Sequence, residues 1–396
     1  MIGLLSERRL EIDLHTRVVF GVGAIERLPE LVTATGRSRV FVVTDPGVVA
    51  SGVIDRVTGV LDAASVPARV YAEVEANPGT TSVLRGSVAL STFGIADTAV
   101  VPVGGGSSMD SAKAIAFHAV NGGDVLALGY HRDDVTPGGP LIAVPTTAGT
   151  GAETNTYGVI TDEAAGRKDY VGHPSLRPVA TILDPSLTVG LPPAATAATG
   201  VDAMTHSLES LLSANPNPFA EAMALGVIRT VGEWLPRAVA DGTDIEARSQ
   251  LLMASHLAGV GQASGTGVGL VHALGHAIGT HGRLPHGLAL AVVLPEVLSF
   301  YLASAGLRDR ELAGVGVALR AASATETEAT AAGAAVGAVR MLLTTVGLRP
   351  RLRSLGFDEA MLDVVAQDAI DDAAIRNSPR LPTLAEARAI LASVLD

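Results

Sequence analysis

The residues able to do chemistry concentrate in positions 200–287. Six of the ten histidines in the 396-residue chain fall in positions 202–286. Asp202 and His206 stand four apart in a stretch, 201–213, that contains no Pro or Gly. A helix there turns both side chains to one face. His272 and His276 repeat the spacing on a second expected helix, and His286 follows in a Pro-His-Gly turn. A lone His-x3-His pair also arises on exposed helix faces. One carboxylate joined by two or three imidazoles is a more specific donor set, and it suits a divalent first-row metal such as iron, zinc or nickel. We therefore expect a metal centre in this stretch.

A second chemistry is signalled by glycine loops. Residues 98–103 (TAVVPV) read as a buried strand that runs into Gly104-Gly105-Gly106-Ser107, with a helix expected over 109–121. Such a junction offers backbone N–H groups and the positive end of a helix to a phosphate, and glycine permits close approach. GGGS is not the G-x-G-x-x-G fingerprint, so alone it does not separate a phosphate cradle from a loop needing positive φ. Residues 140–146 read as a further strand, again followed by small residues, Thr147-Ala148-Gly149-Thr150-Gly151. Two such loops after consecutive strands lie at one edge of a parallel sheet, where α/β proteins bind ligands. Together they favour a dinucleotide site.

The elements that must position these groups follow from the apolar pattern. A strand or hairpin is expected over 9–21, a short helix over 24–35, a buried parallel strand over 39–44 and a helix over 52–64. A strand over 68–71, a break at Asn77-Pro78 and a helix over 81–94 come next. Residues 157–185 read as short strands and turns. From Pro192 to Leu395 only alanine-rich helical segments are seen, so the chain divides into an α/β dinucleotide-binding domain, 1–188, and an all-helical domain, 189–396. Residues 321–337 are low in complexity, yet their small side chains suit close helix packing.

Composition narrows the function classes. Apolar residues make up 48% but aromatics only 3%, so Ala, Val, Leu and Ile must build the core. No apolar run approaches the roughly 20 residues of a membrane span, and charge enters the N-terminus too early for a secretory segment. Zero cysteines exclude disulfides and thiolate ligands and fit a cytoplasmic home. A net charge of -12 argues against a nucleic-acid partner. Of 28 basic residues only Lys113 and Lys168 are lysine, so each is expected to need a compact ammonium rather than a planar guanidinium.

The motifs GGGSSMDSAKAIA, VPTTAGTGAE, ILDPSLTVGLPPAATAATGVDAMTHSLE, LVHALGHAIG, LPHGLALAVVLP and NSPRLPTLAEARAIL occur in this order along the chain. In them the chain resembles the iron-containing, or group III, alcohol dehydrogenases, which share a fold with glycerol dehydrogenases and dehydroquinate synthases. The resemblance implies a Rossmann-like α/β domain followed by an all-α metal-binding domain. It makes Asp202, His206, His272 and His286 the metal ligands, with iron(II) expected and zinc(II) as the alternative, and His276 a non-ligating histidine beside substrate and nicotinamide. It assigns the cofactor to Asp45, Asn77, Gly104, Gly105, Ser107, Asp110, Thr146, Thr147, Lys168 and Leu187. Asp45 would meet the adenosine ribose, where a carboxylate repels a 2′-phosphate, so NAD is expected over NADP. The implied activity is a metal-dependent, NAD(P)-linked alcohol dehydrogenase or aldehyde reductase, cytoplasmic and homodimeric.

Gly261-Gln262-Ala263-Ser264 departs from the family, which has an aromatic here, and is expected to open the pocket to bulkier or more polar substrates. The rivals are a metal-free maleylacetate reductase type, a dehydroquinate synthase-like lyase and a binding module without turnover. His281 reads as a loop histidine and His256 as a satisfied helix histidine.

Overall fold

RVFVV, TAVVPVG, IAVP and ATIL are apolar on both faces, as strands of a parallel sheet covered on two sides must be. In the computed structural model, which describes residues 12, 14, 16–129, 132, 134–164, 167–304 and 307–396, they form such a sheet. Its strands are β1 (Arg17–Phe20), β2 (Arg39–Val43), β3 (Ala68–Tyr71), β4 (Thr98–Gly104), β5 (Ile142–Pro145) and, after the antiparallel hairpin of β6 (Tyr157–Asp162) and β7 (Arg167–Gly172), β8 (Ala180–Leu183). The spatial order is β1-β8-β5-β4-β2-β3, and all paired neighbours are parallel. Of the strand expected over 9–21, residues 17–20 are β1; positions 9–11, 13 and 15 lie outside the described residues.

Among the described residues, the α-helices that accompany this sheet are α1 (Leu28–Ala34), α2 (Pro46–Ala50), α3 (Val53–Ala63), α4 (Thr80–Phe93) and α5 (Gly106–Asn121). The period-two alternation of β2 sorts the core: Val40 and Val42 pack with Leu28, Leu31, Ile54, Val57 and Leu61 of α1 and α3. Phe41 and Val43 face the other way, onto Val83, Leu90, Ile115 and Phe117 of α4 and α5. Each such buried aliphatic side chain contributes about 1.5–3 kcal/mol. The chain leaves β3 and returns past β2 to β4, so the strand order reverses between β2 and β4, and a ligand crevice is expected beyond their carboxyl ends.

The chain divides at residue 192 into two compact units, Leu14–Leu191 and a helical one built from Pro192–Asp396. The helices of the second are α6 (Pro193–Leu212), α7 (Pro218–Ala240), α8 (Ile245–Gly261), α9 (Leu270–Gly282), α10 (His286–Leu302), α11 (Asp309–Ala318), α12 (Glu328–Thr345), α13 (Leu362–Asp371) and α14 (Leu384–Ser393). α6 is buried on every face from Gly200 to Leu212, the pattern of a central helix.

Two local expectations are corrected here. His286 is the first residue of α10, with Pro285 before it, rather than a turn residue. His281 lies in the last turn of α9 rather than in a loop, because that helix runs on to Gly282. After α8 the chain makes a single π-turn, Gln262–Thr266, in which Gly265 has φ 101°. Ala263 is exposed there.

Candidate metal centre and nucleotide loops

Burying α6 takes seven polar side chains, Thr196, Asp202, Thr205, His206, Ser207, Glu209 and Ser210, into the interior, and each needs a partner to repay its lost hydration. Thr205 Oγ1 donates to Val201 O, and Ser210 Oγ pairs with Thr266 Oγ1. Glu209 accepts from the backbone N–H groups of Gly269 (2.8 Å) and Val271 (2.6 Å), the first turn of α9, and from His272 Nδ1 (2.6 Å). A carboxylate that only accepts puts the proton of His272 on Nδ1 and turns the Nε2 lone pair the other way. There it stands 3.7 Å from Asp202 Oδ1, and neither atom has a hydrogen-bond partner among the described residues although both are buried.

Around that oxygen the imidazoles converge. His206 Nε2 is 3.7 Å and His286 Nε2 3.6 Å from Asp202 Oδ1. One donor atom from each of Asp202, His206 and His272 lies within 4.8 Å of the others. The His206 and His272 rings stack with centroids 4.8 Å apart, and His286 is 5.3 Å from His272. Burial alone would raise the Asp202 carboxyl, but His206 and His286 outweigh it and hold it well below the usual carboxylate range. An anionic oxygen and an aromatic nitrogen aimed at one dry point, with no proton between them, fit a divalent cation.

Close approach of α10 to α6 brings His286 in. A Cβ on Gly287 would sit 2.0 Å from Ala198 O, so only glycine allows the two backbones to meet there. His276, one turn beyond His272, stacks on His286 at 5.4 Å and bonds through Nδ1 to Asp372 Oδ2 at 2.8 Å. His281 Nε2 pairs with Asp368 Oδ2 at 2.6 Å in a more exposed position, and His256 is buried in α8. Glu209 and Asp372 are the partners that reading the sequence missed. Glu209 continues the face of α6 three residues after His206; no local pattern could find Asp372, which is 96 residues from His276.

In the α/β unit, Asp45, Gly104, Gly105, Ser107, Thr146 and Thr147 gather at the carboxyl ends of β2, β4 and β5. Gly104 ends β4 with φ 151°, and a Cβ there would meet Ser108 Oγ at 2.3 Å. Gly105 precedes α5 without a side-chain cap, which leaves the first N–H groups of a 16-residue helix for a ligand. Thr146 N donates to Gly104 O (3.0 Å), and Thr147 packs on Gly105, so the two loops are tied together. Asp45 Oδ1 caps α2 through Gly47 and Val48, while Oδ2 accepts from Ser108 Oγ at 3.2 Å.

The remaining cofactor expectations scatter. Asn77 adopts φ 56° and is held by Thr161 Oγ1 at its carbonyl, on the strand that pairs Thr161 with Lys168. Asp110 on α5 feels the charges of both lysines, Lys113 and Lys168; burial nonetheless pushes it up to about 6. Leu187 is 2% exposed in the core with Ile25 and Val57, so its side chain is committed to packing. Lys113 is buried, and its ammonium donates to Ala152 O (2.6 Å), Asn155 Oδ1 (2.5 Å) and Tyr157 O (2.8 Å). Three converging acceptors suit three protons on one point, which a planar guanidinium cannot supply.

With this geometry in hand, known proteins supply the comparison. The family described as iron-containing alcohol dehydrogenase matches residues 15–185, and the one described as the C-terminal part of the Fe-containing alcohol dehydrogenase family matches residues 196–395. The lactaldehyde reductase of Escherichia coli strain K12 is 35% identical over 374 residues, covering 94% of this chain and 96% of its own. The NAD-dependent methanol dehydrogenase of Bacillus methanolicus is 31% identical over 377 residues, 95% of this chain and 97% of its own. Among solved structures, a 1,3-propanediol oxidoreductase superposes with a TM-score of 0.93 at 31% identity, covering 98% of this chain and 100% of that one.

Proposed function

Because the chain belongs to the iron-containing alcohol dehydrogenase family, we propose that it is a metal-dependent, NAD-linked alcohol dehydrogenase that also works as an aldehyde reductase. One observation carries the reading: the buried convergence of Asp202, His206 and His272, with donor atoms within 4.8 Å, and His286 beside them. These four residues would hold a divalent cation, iron(II) by family and zinc(II) by donor chemistry. When bound, the cation supplies Lewis acidity that acidifies an alcohol hydroxyl or polarises a carbonyl. The nicotinamide supplies the hydride acceptor, so alcohol and NAD+ give carbonyl compound, NADH and a proton.

The chain's own residues do the rest. His276 Nε2 takes the hydroxyl proton in oxidation and returns it in reduction. The open N-terminus of α5, with Gly104, Gly105 and Ser107, binds the pyrophosphate, and Thr146, Thr147, Asp110, Asn77, Lys168 and the Leu187 backbone complete the cofactor contacts. Asp45 favours NAD, since its carboxylate accepts from a ribose hydroxyl and repels a 2′-phosphate. That the Bacillus methanolicus relative is NAD-dependent by name supports the same choice. Exposed Ala263 and the half-buried amide of Gln262 support substrates larger or more polar than short linear alcohols.

β1 is an edge strand that exposes Phe20 to 44%, which supports pairing with a second copy in a homodimer. No helix among the described residues is long and apolar enough to cross a membrane, and a chain with zero cysteines suits a reducing compartment such as the cytoplasm. The test is Asp202→Asn and His206→Ala, assayed for metal content, NADH binding and turnover. The reading expects loss of metal and turnover with NADH binding kept; retained turnover without metal would overturn it.

A further inference from the structure

We propose that Asp372 is the positioning residue for His276, holding the ring so that Nε2 is presented as the acceptor of the substrate proton. The inference rests on the reading of His276 as the proton-transfer residue. Asp372 ends α13 and caps the 3-10 turn that follows, Ala373–Asn377. Its Oδ1 accepts from Ala374 N at 2.8 Å, which leaves Oδ2 aimed at His276 Nδ1, also at 2.8 Å. The carboxylate is thus oriented by its own backbone before it meets the imidazole.

The ring is fixed on its other sides as well. It stacks on His286 with centroids 5.4 Å apart and planes 26° apart, and it meets His272 edge-on at 5.8 Å. An acceptor-only partner at Nδ1 keeps the proton on that nitrogen and the lone pair on Nε2, at the opposite corner of the ring. When an alcohol is oxidised, its O–H bond breaks, the proton goes to Nε2 and the O–H electron pair becomes the second bond of the carbonyl as hydride leaves carbon. Asp372 then neutralises the imidazolium until water takes the proton. The division of labour is the one known for carboxylate–imidazole pairs in hydrolases, in which the acid orients the base and is not itself protonated.

The same two helices provide an internal control. His281 and Asp368 repeat the contact at 2.6 Å, but with the carboxylate half exposed. No substrate proton is expected there.

The experiment compares Asp372→Asn, Asp372→Glu and Asp368→Asn in the zinc-loaded holoenzyme, with His276→Ala alongside. Metal content, KM for NAD, kcat and the tautomer of His276 by ¹⁵N NMR are read for each. An asparagine amide can donate to Nδ1 and drive the proton to Nε2, so Asp372→Asn is expected to lose roughly 10–100-fold in kcat, within the range a positioned base supplies. KM for NAD and metal content should stay unchanged, the Nε2–H tautomer should appear, Asp372→Glu should recover part of the rate and Asp368→Asn should match the wild type. Unchanged kcat in Asp372→Asn, while His276→Ala is impaired, overturns the role of Asp372. Full activity in His276→Ala overturns the reading of His276 itself. If Asp372→Asn does not fold, Asp372→Glu decides: the Nδ1–H tautomer and metal kept, with a rate between those of the wild type and His276→Ala, support the proposal, whereas a wild-type rate or lost metal overturns it.

Discussion

Each histidine of the paired motif is held at Nδ1 by a different carboxylate, and the two carboxylates set different properties. Glu209 spends all its bonds on His272 and on the N–H groups that begin α9, so removing its charge acts on the metal. Glu209→Gln should weaken zinc affinity roughly 10–100-fold by chelator competition, the usual cost of losing an outer carboxylate. An unchanged affinity would show that Asp202 and the imidazoles are held without it. Asp202, His206, His272 and His276 are visible in the sequence because a spacing of four is one helical turn. Asp372 is invisible there, since its contact is made by the packing of α13 on α9 across 96 residues. Residue chemistry can be read locally only as far as one element reaches.

At the scale of elements, the site depends on close approaches and on one staple. Gly287→Ala puts a methyl carbon 2.0 Å from the carbonyl of Ala198 and must push α10 off α6. A loss of about 1–3 kcal/mol in urea unfolding is expected, with metal content falling alongside as His286 withdraws. Lys113 staples α5 to the segment after the second loop. Lys113→Met removes the ammonium that donates to Ala152 O, Asn155 Oδ1 and Tyr157 O and should cost about 2–4 kcal/mol; Lys113→Arg should not restore it. The glycine loops and their strands could be read from punctuation and apolar runs. The staple showed only as a lysine surviving among arginines, and its acceptors needed the fold.

Asp110, one turn before Lys113, gives the α/β unit a pH signature. Burial raises its folded value from 3.8 to about 6, against the pull of Lys113 and Lys168. Between those values the folded chain holds the extra proton, so stability should fall as pH rises through about 4 to 6, and the cost is fully present above 6. Urea midpoints for Asp110→Asn should be flatter than wild type over that window; parallel curves would contradict the burial argument.

For the whole molecule, the change of pattern near Pro192 shows that strands give way to helices, since alternation and glycine punctuation stop there. The order of strands does not show, because β8 joins β1 and β5 only through the fold, and neither do the π-turn at Gln262 and the start of α10 at His286. The central claim, that the buried donors around Asp202 hold a metal needed for an NAD-linked reaction, is tested most directly by stripping the metal. The stripped protein is rebuilt separately with iron(II) and zinc(II) and assayed against an alcohol and aldehyde panel with NAD and NADP. Turnover that vanishes on stripping, returns with metal and prefers NAD is the predicted result. Full activity in the stripped protein would contradict the account, leaving Asp202 and its histidines without a part in the reaction.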